Sequence, residues 1–384
     1  MRVGAAKRDI TPNVPLPYLA HNPRHQLFKG VTDRMYLRAV VMDNVCIISV
    51  DSIGFAANVL GEGDFDEILK AIILQKTEIK DVMFASSHIH SMPETINFRS
   101  FINAKGAKEW LYFVIESACE AINEARAKMI PSKVYFTNET VPGHTQNRRR
   151  GKYLDDTLSV MNFKSLAGEN LATIVHFTCH PVVMQVTPEI CTDYVGVIEE
   201  TVERETGAPA LFLQGACGDI DPLNHRGLKE DYIFMGNALV NAVVKLLENI
   251  PVLDKPNVSF KEEILFLPSR ELPEYSEIEE QQCRIAEGDS AYRAFLQVIK
   301  IGKITLVGIP GEVFCEMGLK FKEINPNVLT VGYANGYIGY IVPRHEWEKG
   351  GYEPALGMWS KVSAEAYDII LENIIGKAIV PVDV

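Results

Sequence analysis

The stretch FASSHIHSMPE, residues 84–94, places two histidines at the end of a segment with strand character. The residues just before it, DVM at 81–83, continue the apolar pattern, and the polar run begins at Ser86. Side chains alternate between the two faces of a strand, so His88 and His90 lie on one side if the strand continues through them. Two imidazoles held in this way can bind one metal ion, or one can bind while the other transfers protons. The pattern alone is weak, because most His-x-His pairs are ordinary polar residues at a strand end.

The composition is that of a globular protein with a large core. The chain has 384 residues, 47% of them hydrophobic, which suits a single domain over residues 1–384. The formal net charge of −12 argues against a nucleic-acid partner, and the arginine run at 148–150 is too short to reverse that conclusion. The sequence shows neither an apolar run long enough to span a membrane nor a signal-peptide core. Seven scattered cysteines predict reduced thiols, so we expect a cytoplasmic protein without a membrane partner. The oligomeric state is unknown.

The order of predicted elements is repeated along the chain. Apolar, β-branched segments joined by short polar turns indicate hairpins, and amphipathic spacing indicates helices. We predict an α/β fold of stacked mixed β-sheets flanked by helices, and the repeat suggests an internal duplication. The hairpin, helix and strand fall at residues 35–50, 65–73 and 81–85 in the first half, and at residues 158–178, 193–205 and 209–214 in the second.

Further ionisable residues lie where an apolar segment gives way to a loop. They are His180, Asp219, Asp221 and Glu312. Strand ends of α/β sheets are where sites are usually assembled. Each residue also has a structural interpretation, since His180 can be a core histidine, the two aspartates can be turn residues, and Glu312 can cap a helix. His176 precedes His180 by four residues, but on a strand this spacing favours packing over metal binding.

Nine short blocks distributed along the chain carry a family resemblance. Their content and order resemble the catalytic domain of the neutral (alkaline, non-lysosomal) ceramidases, and they extend from residue 3 to about residue 355. No single block is specific, whereas the ordered series is. The blocks are VGAAKRDITP (3–12), SVD (49–51), SSHIHSMP (86–93), NRR (147–149), HP (180–181), QGACGDIDP (214–222), PGE (310–312), NGYIGY (335–340) and GYE (351–353).

The resemblance implies a metal site and its surroundings. Nitrogen and oxygen ligands of this kind suit Zn²⁺, although such sites also accept manganese or iron. We expect one zinc per chain, with a second metal left open, and the residues alone do not decide between His88 and His90 as the ligand. The implied zinc ligands are His88, His180, Glu312 and Tyr340, with Tyr352 as a second active-site tyrosine and Arg148 as the substrate-binding arginine.

The chemistry implied by the resemblance is metal-assisted hydrolysis of an amide bond. His90, or a carboxylate nearby, would take the proton of the attacking water and pass it to the leaving amine. Arg148 and Tyr352 would stabilise the developing oxyanion.

The sequence also departs from the family. Asp221 occupies a position at which the ceramidases carry an essential serine, and a carboxylate cannot replace a hydroxyl as a donor. It would act as a base, orient a ligand or bind a second metal. We find neither the family's C-terminal β-domain nor its secretory signal, so we expect a small soluble N-acyl substrate. The alternatives are a metal-dependent lyase or isomerase acting on a polar small molecule, and a binding module without activity.

Overall fold

The chain forms a four-layer structure of helices and sheets. The computed structural model describes residues 1–19, 26–96, 99–224, 226–254, 256–270, 291–355, 357 and 359–379. The strands are β1 (Arg2–Asp9), β2 (Gly30–Val31), β3 (Tyr36–Met42), β4 (Val45–Val50), β5 (Asp81–Ser86), β6 (Ile130–Thr140), β7 (Thr145–Asn147), β8 (Thr157–Ser165), β9 (Asn170–Phe177), β10 (Glu189–Ile190), β11 (Ala210–Gln214), β12 (Ile220–Pro222), β13 (Val258–Pro268), β14 (Ala291–Ile301), β15 (Ile304–Gly308), β16 (Glu312–Val313), β17 (Val328–Val331) and β18 (Tyr340–Ile341). The helices are α1 (Phe65–Thr77), α2 (Arg99–Ile102), α3 (Ala107–Ala127), α4 (Asp193–Thr206), α5 (Lys229–Glu248), α6 (Cys315–Ile324), α7 (Arg344–Trp347) and α8 (Glu365–Ile374), and a π-helical turn, Ile375–Ile379, continues α8.

The main sheet has eight strands in the order β11-β9-β8-β6-β1-β3-β4-β5. Its two halves have the same connectivity. In one half β1 and β3 are antiparallel, as are β3 and β4, and β5 is parallel to β4. In the other half β6, β8, β9 and β11 repeat these relations. The halves meet at an antiparallel contact between β1 and β6. The predicted repeat of hairpin, helix and strand is therefore present in the structure.

Three apolar cores hold the layers together. Helices α1, α3, α4 and α5 cover one face of the main sheet, and their buried side chains include Leu111 and Ile198. The opposite face packs on a second sheet, of order β13-β14-β15-β17, through side chains such as Met83 and Leu306. The outer face of that second sheet is covered by α6 and α8, with Tyr367 buried between them. This arrangement confirms the predicted fold class.

The segment that follows β17 links the two edges of the main sheet. The N–H of Gly332 donates to the carbonyl of Gln214 at the end of β11 (2.9 Å), and the N–H of Ser86 at the end of β5 donates to the carbonyl of Tyr333 (3.1 Å). Asn335 in turn donates its N–H to the carbonyl of Phe84 (2.8 Å). The sheet is thus curled so strongly that the carboxyl ends of its two edge strands face each other. The loops that leave these ends build the site described below.

The structure bears on two further expectations from the sequence, the state of the cysteines and the absence of a membrane-spanning segment. Six cysteines of the described chain are buried and free of disulfides, which agrees with reduced thiols. In the described residues, no helix has the length and the hydropathy that crossing a bilayer requires.

Candidate metal centre and active-site pocket

His88 reaches the site by a route different from the predicted one. Strand β5 ends at Ser86, and His88 has a left-handed backbone with φ of 64°. The alternation argument was therefore wrong, because the strand does not continue to His90. The two rings nevertheless converge, with Nε2 of His88 lying 3.4 Å from Nε2 of His90. The Nδ1–H of His88 donates to the carbonyl of Ile53 (2.6 Å). In this tautomer Nε2 carries the lone pair that can bind a metal ion.

His180 lies in the loop after β9 and is held in the same way. Both its backbone N–H and its Nδ1–H donate to the carbonyl of Ile220, at 2.9 and 3.1 Å. Metal-binding histidines usually donate their second ring N–H to such an acceptor, which fixes the tautomer and the ring orientation. The ligand atoms of His88, His90 and His180 all lie within 4.8 Å of one another. Among the described residues, these three histidines form the group whose ligand atoms are close enough together to hold a metal ion.

Glu312 faces the histidines from the C-terminal part of the chain. Its Oε2 lies 3.1 Å from Nε2 of His180 and 3.4 Å from Nε2 of His88. Its other carboxylate oxygen accepts the hydroxyl of Tyr337. Glu312 lies in strand β16, and the helix begins at Cys315, so the helix-cap interpretation does not hold. The geometry instead places a carboxylate between two imidazoles.

Tyr340 is brought beside Glu312 by a short parallel pairing. Strands β16 and β18 align Glu312 with Tyr340, and the N–H of Glu312 donates to the carbonyl of Gly339 (2.9 Å). The loop at Gly218 must come close to this pair, since a Cβ there would lie 2.7 Å from the carbonyl oxygen of Glu312. The structure therefore collects the four predicted ligand residues, with His90, in one place.

Burial sets the charge states of this group. Burial lowers the pKa of His88, although Glu312 opposes the shift. Burial also lowers the pKa of His90 well below its ordinary value, and His88 and His180 add to the effect. Burial would raise the pKa of Glu312, but His88 and His180 reverse this and hold it well below its ordinary range. Burial would lower the pKa of His180, but Cys217 and Glu312 reverse this and raise it well above its ordinary value. This ring therefore gives up a proton when a metal ion binds. An ionised carboxylate beside imidazoles that bind as neutral ligands is a donor set that fits a divalent zinc ion.

Arg148 lies beside these residues and makes four hydrogen bonds. Its Nε donates to Glu353 (2.8 Å), Nη1 to Asp221 (3.1 Å), and Nη2 to both the carbonyl of Gly218 (2.6 Å) and the hydroxyl of Tyr340 (3.0 Å). A guanidinium has five N–H groups, so one N–H on Nη1 remains for a ligand. Arg148 therefore positions Tyr340 and has little donor capacity left.

These residues line a pocket of about 200 Å³. Tyr352 lies at its rim and is 47% exposed. Its ring stacks on the ring of Trp359 with a centroid distance of 5.0 Å, and its centroid lies 6.0 Å from that of the Tyr340 ring. Apolar side chains form much of the wall. The full lining is Leu19, Ile53, His88, His90, Ile96, Arg148, Val182, Gln185, Asp221, Glu312, Tyr337, Tyr340, Tyr352 and Trp359. Seven of the eight predicted site residues thus line the pocket, and the eighth, His180, contacts Glu312.

Several residues of the site were not assigned a role from the sequence. Gln214 lies wholly buried and connects the two histidine loops, because its Nε2 donates to the carbonyls of Ser87 (3.2 Å) and Cys179 (2.7 Å). The ring of Tyr333 stacks on that of His88 at 3.8 Å. Glu353 accepts from both Arg148 and Arg149. Gln214 and Glu353 lie in the sequence blocks that resemble the ceramidases. That resemblance was the one feature of the sequence that could have indicated them.

Two other candidates are structural. The carboxylate of Asp219 accepts the N–H of Cys315 (2.8 Å) and the side chain of Asn147 (2.6 Å), so it fixes neighbouring loops. His176 is buried in β9 and its Nε2–H donates to the carbonyl of Thr330 (2.8 Å). The interpretation of His176 as a packing residue is confirmed.

Both the sequence comparison and the structure comparison find similarity to neutral ceramidases. A curated relative, neutral ceramidase A of Dictyostelium discoideum, is 33% identical over 89 residues, covering 21% of this chain and 12% of the relative. The neutral ceramidase of Mycobacterium tuberculosis is 35% identical over 66 residues, covering 15% of this chain and 10% of the relative. The matched segments thus span about a tenth of the length of these curated relatives. No family model matches the chain.

The structural likeness extends over nearly the whole chain. The crystal structure of neutral ceramidase from Pseudomonas aeruginosa superposes with a TM-score of 0.77 at 17% identity, covering 98% of this chain and 74% of that one. A ceramidase structure described as complexed with C2 gives a TM-score of 0.74 at 15% identity, covering 100% and 76%. The chain therefore has the neutral ceramidase fold, and the predicted resemblance to that family is confirmed.

Proposed function

We propose that this chain, which has the neutral ceramidase fold, is a zinc-dependent hydrolase that cleaves the amide bond of a small N-acyl substrate. The observation that carries the proposal is the convergence of His88, His180 and Glu312, with both Nδ1–H groups committed to carbonyl oxygens. That arrangement directs two imidazole lone pairs and one carboxylate oxygen to a common point. Tyr340, positioned by Arg148, would supply the fourth ligand, a phenolic oxygen. The zinc ion would contribute Lewis-acid chemistry, polarising a carbonyl group and lowering the pKa of a water molecule.

The surrounding residues then have distinct roles. His90 is neutral and its ring is partly open to the pocket, so it can accept the proton of the attacking water and return it to the leaving amine. The remaining Nη1–H of Arg148 and the hydroxyl of Tyr352 would donate to the developing oxyanion. The relatives' names point to ceramide hydrolysis for those proteins. We propose the same bond type here, with a different substrate.

The size of the pocket supports a small substrate. Pockets for drug-sized ligands usually measure about 300–1,000 Å³, whereas the pocket bounded by the described residues measures about 200 Å³. A short acyl chain fits this volume better than a long one. A cytoplasmic location and a water-soluble substrate are parts of the same proposal.

An acyl-chain series tests the proposal. Zinc-loaded protein is incubated with amides of one amine carrying acetyl, butyryl, hexanoyl and hexadecanoyl groups, and the released amine is quantified. We expect kcat/KM to be highest for the short chains, and a maximum at hexadecanoyl would contradict the small-substrate proposal. Running the reaction in ¹⁸O-labelled water separates hydrolysis from the alternative, since a lyase or isomerase would incorporate no label into the product.

A further inference from the structure

Asp221 is the charged residue by which this pocket departs most clearly from the family resemblance. It lies in strand β12, which pairs with β7 so that Asp221 is opposite Gln146. Its Oδ1 accepts from Nη1 of Arg148 (3.1 Å) and lies 3.9 Å from Nδ1 of His180. Its side chain is 15% exposed, and that exposed part faces the pocket. Among the described residues, no hydrogen bond is made to the other oxygen, Oδ2. Asp221 therefore offers one unused acceptor close to the metal ligands.

The positive charge of Arg148 is offset by carboxylates of the protein. Two carboxylates, Asp221 and Glu353, contact this one guanidinium at 3.1 and 2.8 Å. Glu353 also binds Arg149, which is held in turn by Glu346 (2.8 Å). Arg148 is thus already neutralised by the protein and is poorly placed to attract an anionic substrate. Apart from Glu312, which we assign to the metal, the carboxylate that lines the pocket is that of Asp221.

Among the described residues, Asp221 shares the pocket with four aliphatic side chains and one neutral amide. They are Leu19, Ile53, Ile96, Val182 and Gln185. An apolar wall suits the acyl half of an amide, and a carboxylate beside the metal ligands suits a donor on the amine half. A carboxylate accepts hydrogen bonds and donates none, and a pair between a charged donor and a charged acceptor is about twice as strong as a neutral one.

We propose that the amine half of the substrate carries a second, positively charged amino group that binds Oδ2 of Asp221. The preferred substrate class is then the monoacylated short diamines, with a neutral hydroxyl in place of the ammonium as a weaker ligand and a carboxylate as a repelled one. This inference rests on the proposed amidase function and specifies the substrate of the same site. Asp221 acts here as a specificity determinant, separate from the residues that move protons.

The test uses three amides of similar size that differ in one terminal group. They are N-butyryl ethylenediamine, N-butyryl ethanolamine and N-butyryl glycine, which end in an ammonium, a hydroxyl and a carboxylate. The zinc-loaded wild type should hydrolyse the first with a kcat/KM at least about tenfold above the second, which corresponds to about 1.4 kcal/mol. In Asp221→Asn this ratio should fall to near unity, and the N-butyryl glycine should gain relative to both others.

A matched variant separates the role of Asp221 from that of Arg148. Glu353→Gln removes the other carboxylate from Arg148 without changing the group that faces the ligand, so it should retain the preference for the ammonium substrate. A binding measurement adds a readout that does not depend on turnover. Calorimetric titration of the zinc-free proteins with N-acetyl ethylenediamine, which they cannot hydrolyse by the proposed route, should show tighter binding to the wild type than to Asp221→Asn.

The outcomes distinguish the two proposals. If the wild type hydrolyses all three amides with equal kcat/KM, or if Asp221→Asn keeps the wild-type preference, the inference about Asp221 is refuted and the amidase function stands. If the wild type hydrolyses none of them and binds N-acetyl ethylenediamine no more tightly than the variant does, both proposals fail. Loss of the preference in Glu353→Gln as well would assign the effect to Arg148 and also overturn the inference.

Discussion

The two halves of the main sheet share one connectivity but contribute different chemistry. In the first half, β1, β3, β4, α1, β5 and α3 follow one another, and in the second half β6, β8, β9, α4, β11 and α5 occupy the corresponding places. The first half supplies His88 and His90 after β5, its edge strand. The second supplies His180 after β9, one strand further in, and Asp221 after β11. Equivalent strand ends therefore carry different groups, and the site is asymmetric on a nearly symmetric scaffold.

The comparison shows that the site depends on the junction between the halves as much as on either half. Gln214 at the end of β11 bonds to carbonyls next to both histidine loops. A second junction is formed by Arg38 of β3 with Glu199 and Glu203 of α4, at 2.7 and 2.8 Å. Glu312 and Tyr340 then close the site from outside both halves. The predictions below test the contributions of the halves and of the junctions.

The largest effect is expected at the histidine pair of the first half. His88→Ala should lose the bound metal, because His88 contacts Glu312 and has its Nδ1–H fixed by a carbonyl. His90→Ala should keep the metal and lose about 10²–10⁴-fold in kcat, the usual contribution of a general acid or base. Metal analysis and steady-state kinetics measure the metal content and kcat of both variants. The control is His345→Ala, which replaces an exposed histidine. Loss of the metal in His90→Ala would make His90 a ligand and reverse the assignment.

Replacing Arg38 should produce the largest loss of stability. Its side chain is 1% exposed and contacts three carboxylates, those of Asp51, Glu199 and Glu203. Arg38→Met leaves these acidic groups without their buried partner, which should lower the free energy of unfolding by about 3–5 kcal/mol. Guanidinium chloride denaturation measures the change. Lys76→Met, which removes the exposed pair between Lys76 and Glu116, is the control and should have little effect. Equal effects in both variants would contradict the importance of this junction.

Gln214 should affect metal affinity more than overall stability. Gln214→Leu removes two donors that hold the carbonyls of Ser87 and Cys179, and it should weaken zinc binding about 10–100-fold. The control is Gln297→Leu, which replaces a buried glutamine of the second sheet that donates to the carbonyl of Val82 (2.8 Å) in β5 of the main sheet. It should lower stability and leave zinc affinity unchanged. Competition with a fluorescent zinc chelator gives both affinities, and equal zinc affinity for the two variants would show that Gln214 has no special role.

The smallest effect is a difference in pH dependence between two buried aspartates. Burial raises the pKa of Asp66, at the start of α1, to about 8, with a smaller contribution from Asp64. Burial raises that of Asp193, at the start of α4, only to about 6, because the N–H groups of Met184 and Tyr194 donate to its carboxylate. The ordinary pKa of an aspartate side chain is 3.8. Between that value and the folded pKa, the folded state keeps a proton that the unfolded state releases, so stability falls as pH rises.

The sign of this linkage gives a direct test with two variants. Asp66 should lower the free energy of unfolding by about 1.4 kcal/mol per pH unit up to about pH 8. Asp66→Asn should remove that slope between pH 6 and pH 8, a range in which Asp193→Asn should keep it. Urea denaturation at several pH values measures the slopes. An unchanged slope in Asp66→Asn would show that this carboxyl group ionises normally in the folded protein.

Patterns within single segments predicted most of the elements and the residues of the site. The predicted hairpin over residues 35–50 became β3 and β4, and the predicted helix over residues 193–205 became α4. The convergence of Glu312 and Tyr340 was implied only by the family resemblance, because each lies in a two-residue strand without any periodic pattern. The position of His88 was predicted for the wrong reason, since a left-handed residue after β5 ends the alternation. The bonds of Gln214 depend on long-range closure of the sheet, which no local pattern encodes.

The metal content of the purified protein tests the central claim most directly. We predict about one zinc per chain by mass spectrometry in the wild type, with loss of the metal in both His180→Ala and Glu312→Ala while the two variants remain folded. Two metal ions per chain would point to Asp221 as a ligand of the second ion and contradict its role in substrate recognition. A wild-type protein that is folded yet fails to retain zinc after zinc loading, or variants that bind zinc as well as the wild type does, would contradict the proposed site.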